Sequence, residues 1–257
     1  MEPTLEARAI TIRDHLRALS LPNGAVIEGG QDPYQASCHM HLLEACLAWE
    51  SSGGGEGWAG FSDQIMALAR STFIDTKEGF VRELFGSDWK PLLGKVGHLV
   101  EPGHQFEWAW LMARYGLARS DAMVLETARK LYAHGMSGVS ELMGTVVDAM
   151  NEDGSIHSRR ARLWPQTEWL KSALVLAQAS HGADRRAYLE NAAAAQRALW
   201  LYLTVDGLWR DTRLPSREFI DEPASASSFY HVMAAFKQMQ ETATACEVRG
   251  LLPLDLK

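Results

Sequence analysis

The sequence predicts an all-α protein, a toroid of stacked helical hairpins with about eight long helices. Three observations predict it. Apolar residues recur at helical spacing over eight separate stretches. The strand-like runs between them are short, and each follows a glycine. The order of glycine, short run and helix opening then repeats four times, as expected of stacked units with variable loops on one rim.

In chain order, the helical stretches fall near residues 4–19, 39–51, 60–76, 103–116, 120–134, 165–181, 185–203 and 226–245. The strand-like runs are Gly24 to Glu28, Gly79 to Glu83, Gly154 to Ser158 and Gly207 to Asp211, each read as a loop or small ribbon. Each run leads toward a helix that opens with polar residues and continues apolar. These openings are His41 to Glu44, His104 to Glu107, Gln166 to Trp169 and Tyr230 to Met233. Stacked hairpins would place all four at one end of a central cavity.

With 257 residues, 47% hydrophobic and 22% charged, the chain suits one large soluble domain spanning residues 1–257. The start carries acids and no apolar core of signal-peptide length, and no stretch approaches the roughly 20 apolar residues of a membrane span. A cytoplasmic protein without a membrane partner is expected. Cys38, Cys46 and Cys246, odd in number and without metal-type spacing, argue against a disulfide framework and a zinc–thiolate site. They read as reduced thiols. A net charge of −7 with no basic run disfavours nucleic acid as a partner, although a few local arginines could hold a small anion.

The stretch EPGHQFEWAWLMARYG, residues 101–116, carries the most chemistry. If a helix starts near Pro102, one face holds His104, Glu107, Trp108 and Leu111, while Trp110 and Arg114 lie elsewhere. Proline suits a first helical turn, and Glu101 suits the positive end of the helix dipole. Neither fact explains an inward histidine and glutamate, whose burial costs free energy without partners. A helix N-terminus disfavours imidazolium and so keeps a histidine able to accept a proton near pH 7. A structural histidine satisfied in the core is the alternative reading.

Elsewhere, His41 and Glu44 share a face and His39 points away. Spacing supplies no third ligand, so no metal is expected there. Trp164, just before Pro165, is a sugar-stacking platform or plain core, with Glu168 one turn in. Ser227 and Ser228 are candidate helix caps ahead of His231. No nucleophile-elbow pattern surrounds either serine, which argues against a hydrolase triad.

Taken together, HMHLLEA (residues 39–45), EPGHQFEWAWL (101–111), the stretch from Arg162 to Ala173, and ASSFYH (226–231) resemble successive signatures of the N-acylglucosamine 2-epimerase superfamily. The similarity runs from about residue 20 to residue 240 and is closest to the mannose isomerase and mannose-6-phosphate isomerase branch. It implies an (α/α)6 barrel. It further implies that sugars are interconverted by moving a proton at the carbon beside the carbonyl, with His104 and His231 as the acid/base pair and no cofactor. His41, Glu107, Trp164 and Glu168 match positions that hold the sugar or accompany the histidines. Isomerisation returns the proton to C1, and epimerisation returns it to the opposite face of C2. Both outcomes fit the same two histidines.

The chain also departs from the family pattern. It resembles the C-terminal two thirds, a partial barrel lacking the first two hairpins, and so should have an open cavity with one wall gone. Exposed apolar helix faces would follow, which favours a homodimer over a monomer. A truncated chain, an oligomer that closes the ring and a member without activity are the three resulting readings. Where the family more often has an asparagine four residues before the His41 position, this chain has Ser37, which bears on substrate identity.

The leading expectation is a metal-free sugar isomerase or 2-epimerase acting on mannose or a close relative. A glycosidase drawing its carboxylate pair from Glu101, Glu107 and Glu168 is a second class. A non-catalytic sugar-binding protein is the third. No glycine-rich phosphate loop is present, and Arg82, Arg160 and Arg162 do not by themselves mark a phosphorylated substrate.

Overall fold

The turn that follows each repeat glycine organises the chain. Gly24, Gly79, Gly154 and Gly207 all adopt left-handed backbone, with φ of 89, 79, 82 and 77°, a region open to glycine at little steric cost. Each closes a tight reversal whose arms pair as Ser20 with Val26, Ile74 with Val81, Met150 with Ile156, and Leu203 with Trp209. The small ribbons expected from the sequence are therefore present at all four places. The structure, a computed structural model, describes residues 3–27, 34–54, 56–75 and 77–246. Glu28, at the end of the first expected run, and the side chain of Cys246 lie outside them.

Two compact units divide the chain, Met1–Leu99 and Val100–Lys257. The first contains α1 (Pro3–Ala18), α2 (Ala36–Ser51) and α3 (Glu56–Leu68), and α2 packs against α3. Helix α2 begins three residues before its apolar periodicity. Its start is set by pairing: Gln35 lies opposite Leu84, and the Ala36 N–H donates to Glu83 O, with no side-chain cap. Helix α3 starts earlier than its pattern and ends in a π-helical turn, Ala69–Phe73, where Ile74 N–H bonds Ala69 O five residues back. Phe73 on that turn is fully buried with Phe61, Phe80 and Phe85.

Of the thiols, Cys46 is buried and Cys38 exposed, and neither is in a disulfide. Burial, with Glu50 adding to it, pushes the Cys46 thiol up to about 12, so it is inert at neutral pH.

His39 is a core residue of this unit. Its Nε2 accepts the Val26 N–H at 2.9 Å, and Trp89 meets its ring edge-on at 5.3 Å. An imidazole accepting at Nε2 must be neutral, and burial lowers its pKa from 6.5 to about 4. Between those values the unfolded chain binds a proton that the native chain does not, so stability rises with pH there. The contribution is full above pH 6.5. As pH falls toward 4, chemical denaturation should show up to about 3 kcal/mol lost, and His39→Gln should flatten that slope.

The second unit has two layers. Helices α4 (Pro102–Arg119), α6 (Trp164–Gln178) and α8 (Ser228–Cys246) lie adjacent, with α6 packed on both α4 and α8. Outside them, α5 (Ala122–Met136) covers α4, and α7 (Gly182–Trp200) covers α6 through Ala192, Ala195 and Ala198. Helix α6 is buried on every side from Trp164 to Ala177, which marks it as the centre of the unit. The α4–α5 connection is sharp. Ser120 takes left-handed backbone, and the Asp121 carboxylate caps α5 by accepting the N–H groups of Met123 and Val124. Helix α7 ends before its apolar pattern does, because Leu203 pairs with Trp209 and Arg210 N–H bonds Tyr202 O. All eight predicted helices are found, and no helix among the described residues is long and apolar enough to cross a membrane.

Candidate active site

Helices α4, α6 and α8 present their N-terminal turns to one another within the second unit. Trp164 joins them, its ring centre 5.1 Å from that of His104 and 5.6 Å from that of His231. The close approach of α4 and α6 requires Gly103, where a Cβ would lie 2.4 Å from Trp164 Cη2 and 3.1 Å from Pro165 Cβ. Arg162 extends over Trp164 at 5.3 Å, and carboxylates hold its guanidinium: Glu101 at 2.9 Å, and Asp148. Glu101 thus serves less as a cap for α4 than as an anchor for Arg162. The guanidinium and the two imidazoles frame one aromatic ring.

His231 is buried at the start of α8, and its Nδ1 lies 2.7 Å from Glu168 Oε1. Glu168 is fully buried. Its other oxygen, Oε2, is 2.7 Å from Lys171 Nζ, one turn along α6. Burial would raise the Glu168 carboxyl, but the Lys171 charge and the hydrogen bond and charge of His231 outweigh it and hold the carboxyl below its ordinary value. An ionised Glu168 can only accept, so Nδ1 donates to it, and the lone pair of the corresponding neutral tautomer is on Nε2. This is the arrangement of an oriented base.

Glu107 is buried on α4, and its carboxylate, that of Glu168 and the His231 imidazole all lie within 4.8 Å of one another. Three such groups can in principle ligate a cation. Here His231 Nδ1 and both Glu168 oxygens are already engaged with each other and with Lys171. Within the cluster, His231 and Glu168 are thus tied to each other and to Lys171.

Within the second unit the structure brings together the predicted site residues His104, Glu107, Trp164, Glu168 and His231. His41 belongs to the first unit, where it is exposed on α2 with Nδ1 3.8 Å from Glu44 Oε2. The hydroxyls of Ser227 and Ser228, at the start of α8, both have side-chain partners. Ser228 Oγ donates to Asp211 Oδ1 at 3.0 Å, and Ser227 Oγ pairs with Ser225 Oγ at 2.6 Å. The Asp211 carboxylate, already ordered on the preceding ribbon, offers Ser228 a stronger acceptor than a neutral group would.

Two residues of the cluster, Lys171 and Trp110, are not among the site residues that the sequence predicts. Lys171 is fully buried, with Nζ 3.6 Å from the centre of the Trp110 ring. Trp110, assigned to a different face of α4, is also buried and donates its indole N–H to Gln238 Oε1 on α8 at 2.7 Å. The available signal was Lys171 itself, the one cation of α6, three residues after Glu168. Gln166 also plays a part, since its amide acts as a peptide surrogate. It accepts Val146 N–H and donates to Val146 O and Arg162 O, tying the hairpin at Thr145–Val146 to α6.

The fold and this cluster define a helical-hairpin protein of the (α/α) toroid class, with a histidine site at the helix openings. The sequence pattern described as N-acylglucosamine 2-epimerase (GlcNAc 2-epimerase) matches residues 19–235, and the chain belongs to that family. Mannose-6-phosphate isomerase of Rhizobium meliloti (strain 1021) is 43% identical over 214 residues, which are 81% of this chain and 55% of the relative. A crystal structure of D-mannose isomerase matches with a TM-score of 0.77 at 19% identity, over 92% of this chain and 66% of that one. Cellobiose 2-epimerase from Spirochaeta thermophila DSM 6192 matches with a TM-score of 0.68 at 19% identity, over 85% of this chain and 55% of that one. The chain thus spans just over half the length of its curated relative.

Proposed function

We propose that the protein interconverts an aldose such as mannose with its ketose or C2 epimer, by histidine acid/base proton transfer. The observation that carries this reading is the His231–Glu168–Lys171 array, which orients one imidazole through Nδ1 and leaves Nε2 as its basic atom. Removing a proton beside a carbonyl needs such a base, together with an acid for the carbonyl oxygen. His104, across the Trp164 ring, is the second acid/base group in the proposal. Trp164 supplies an apolar platform for the sugar. Glu107 binds hydroxyls, and Glu168 acts through His231; a sugar-holding role for His41 is what the family resemblance implies. The reaction as proposed uses side chains alone.

Family membership and the named activities of the relatives support the same reading. The family match also runs across both units, which supports a single domain over residues 1–257. Arg82 is held by Asp75, and Arg162 by Asp148 and Glu101, so neither is an uncommitted phosphate contact. A neutral sugar is therefore the first substrate to test. Phe229, Met233 and Phe236, exposed along α8, support association as a homodimer.

The test is to incubate the full chain with mannose and, separately, mannose 6-phosphate, and to separate the products chromatographically. Fructose or glucose from mannose supports the reading. Turnover of the phosphate ester alone would reassign the substrate, and binding without conversion of either would favour a sugar-binding protein.

A further inference from the structure

The acid/base cluster rests on a cation that no part of the proposed reaction requires. Lys171 lies at the middle of α6, without solvent contact, on the far side of Glu168 from His231. Lysine is almost never fully buried unless paired, because removing an ammonium from water costs several kcal/mol. Its placement has been built from two sides. Glu168 Oε2 approaches at 2.7 Å, and the face of Trp110 lies 3.6 Å away, where the ring quadrupole attracts a cation. Trp110 is fixed in turn. Its indole N–H reaches Gln238 Oε1, Gln238 Nε2 donates to Thr242 Oγ1 at 3.2 Å, and Gln178 Nε2 donates to the same hydroxyl at 2.7 Å. Three helices thus cooperate to hold one ammonium against the oxygen of Glu168 that His231 does not use.

We propose that Lys171 is a positioning residue for the acid/base histidine: by balancing the Glu168 charge, it lets the carboxylate orient His231 without driving the imidazole to its protonated form. Alone, a buried carboxylate 2.7 Å from Nδ1 would favour imidazolium strongly, and His231 would be a poor base at neutral pH. With the ammonium on Oε2, the charges of Lys171 and Glu168 offset each other while Oε1 keeps its contact with Nδ1. Other groups also face the imidazole. From α4 there are Glu107 and, across the Trp164 ring, His104. Arg162 lies over that same ring, the Tyr230 ring is 3.9 Å away on α8 itself, and Asp211 bonds Ser228 one turn earlier. Glu107 adds a second negative charge, which makes the compensating cation more necessary.

This inference rests on the acid/base reading of His231. Its test does not require turnover, so the two can fail separately. The imidazole Cε1–H of His231 would be titrated by NMR in the full chain, as wild type, Lys171→Met, Glu168→Gln and the double variant. Loss of the lysine alone should raise the His231 midpoint by about one pH unit or more. The acid limb of kcat/KM should move up by the same amount, with KM nearly unchanged. Removing the lysine in the Glu168→Gln background should also raise the midpoint, because a nearby cation disfavours imidazolium in either background. A Lys171→Met midpoint within error of wild type overturns the proposal. If that variant does not fold, the double variant against Glu168→Gln decides by the same criterion.

Discussion

Substituting alanine for His104 or for His231 should lower proton exchange at the sugar C2 by about 10²- to 10⁴-fold, the usual contribution of a positioned acid or base. The reasoning differs for the two. His231 is oriented by Glu168 through Nδ1, so its removal takes away both the base and the purpose of the array. His104 is half-buried beside Trp164, at the open first turn of α4. Its loss should affect the second proton transfer with little effect on folding. Neither substitution strands a buried ion, because Glu168 keeps Lys171 when His231 is gone. Deuterium exchange and thermal unfolding, measured side by side, separate loss of chemistry from loss of fold. Near-normal exchange in either variant would remove that histidine from the mechanism.

Glu168→Ala should have the largest effect on stability. It leaves the Lys171 ammonium fully buried with only the Trp110 face as a partner, and breaking a buried ion pair from one side typically costs about 3–5 kcal/mol. The denaturation midpoint should fall accordingly, and activity should be lost with it. Replacing Lys171 by methionine at the same time should recover part of that stability, because no uncompensated charge would remain. If Glu168→Ala unfolds at the wild-type midpoint, the buried array is not stabilised as described.

Helix positions and the repeat were legible in the sequence because both leave one-dimensional marks. Apolar periodicity placed α4 and α6 within a few residues, and Gly24, Gly79, Gly154 and Gly207 announced the turns through a backbone need that glycine meets best. Helix limits were harder to read where pairing decides them, as at Gln35 against Leu84 before α2. The site was readable where charge interrupts an apolar face, as with His104, Glu107 and Glu168. Lys171 and Trp110 were hidden for a physical reason. Helix α6 is buried all round and α4 nearly so, so a scheme that divides each helix into one inward and one outward face misplaces residues on the second buried face. The Ser228 hydroxyl also bonds Asp211, a partner distant in sequence but adjacent in space that helix-start chemistry alone does not reveal.

The central claim is that this site moves a proton at the carbon beside a sugar carbonyl. Proton NMR of the full chain with mannose in deuterated water tests it most directly. The account predicts fructose or glucose carrying solvent deuterium, at C1 of the ketose or C2 of the epimer, with the signal abolished in the His231→Ala variant. Folded protein that yields neither product nor deuterium at C2 of the recovered mannose would contradict it.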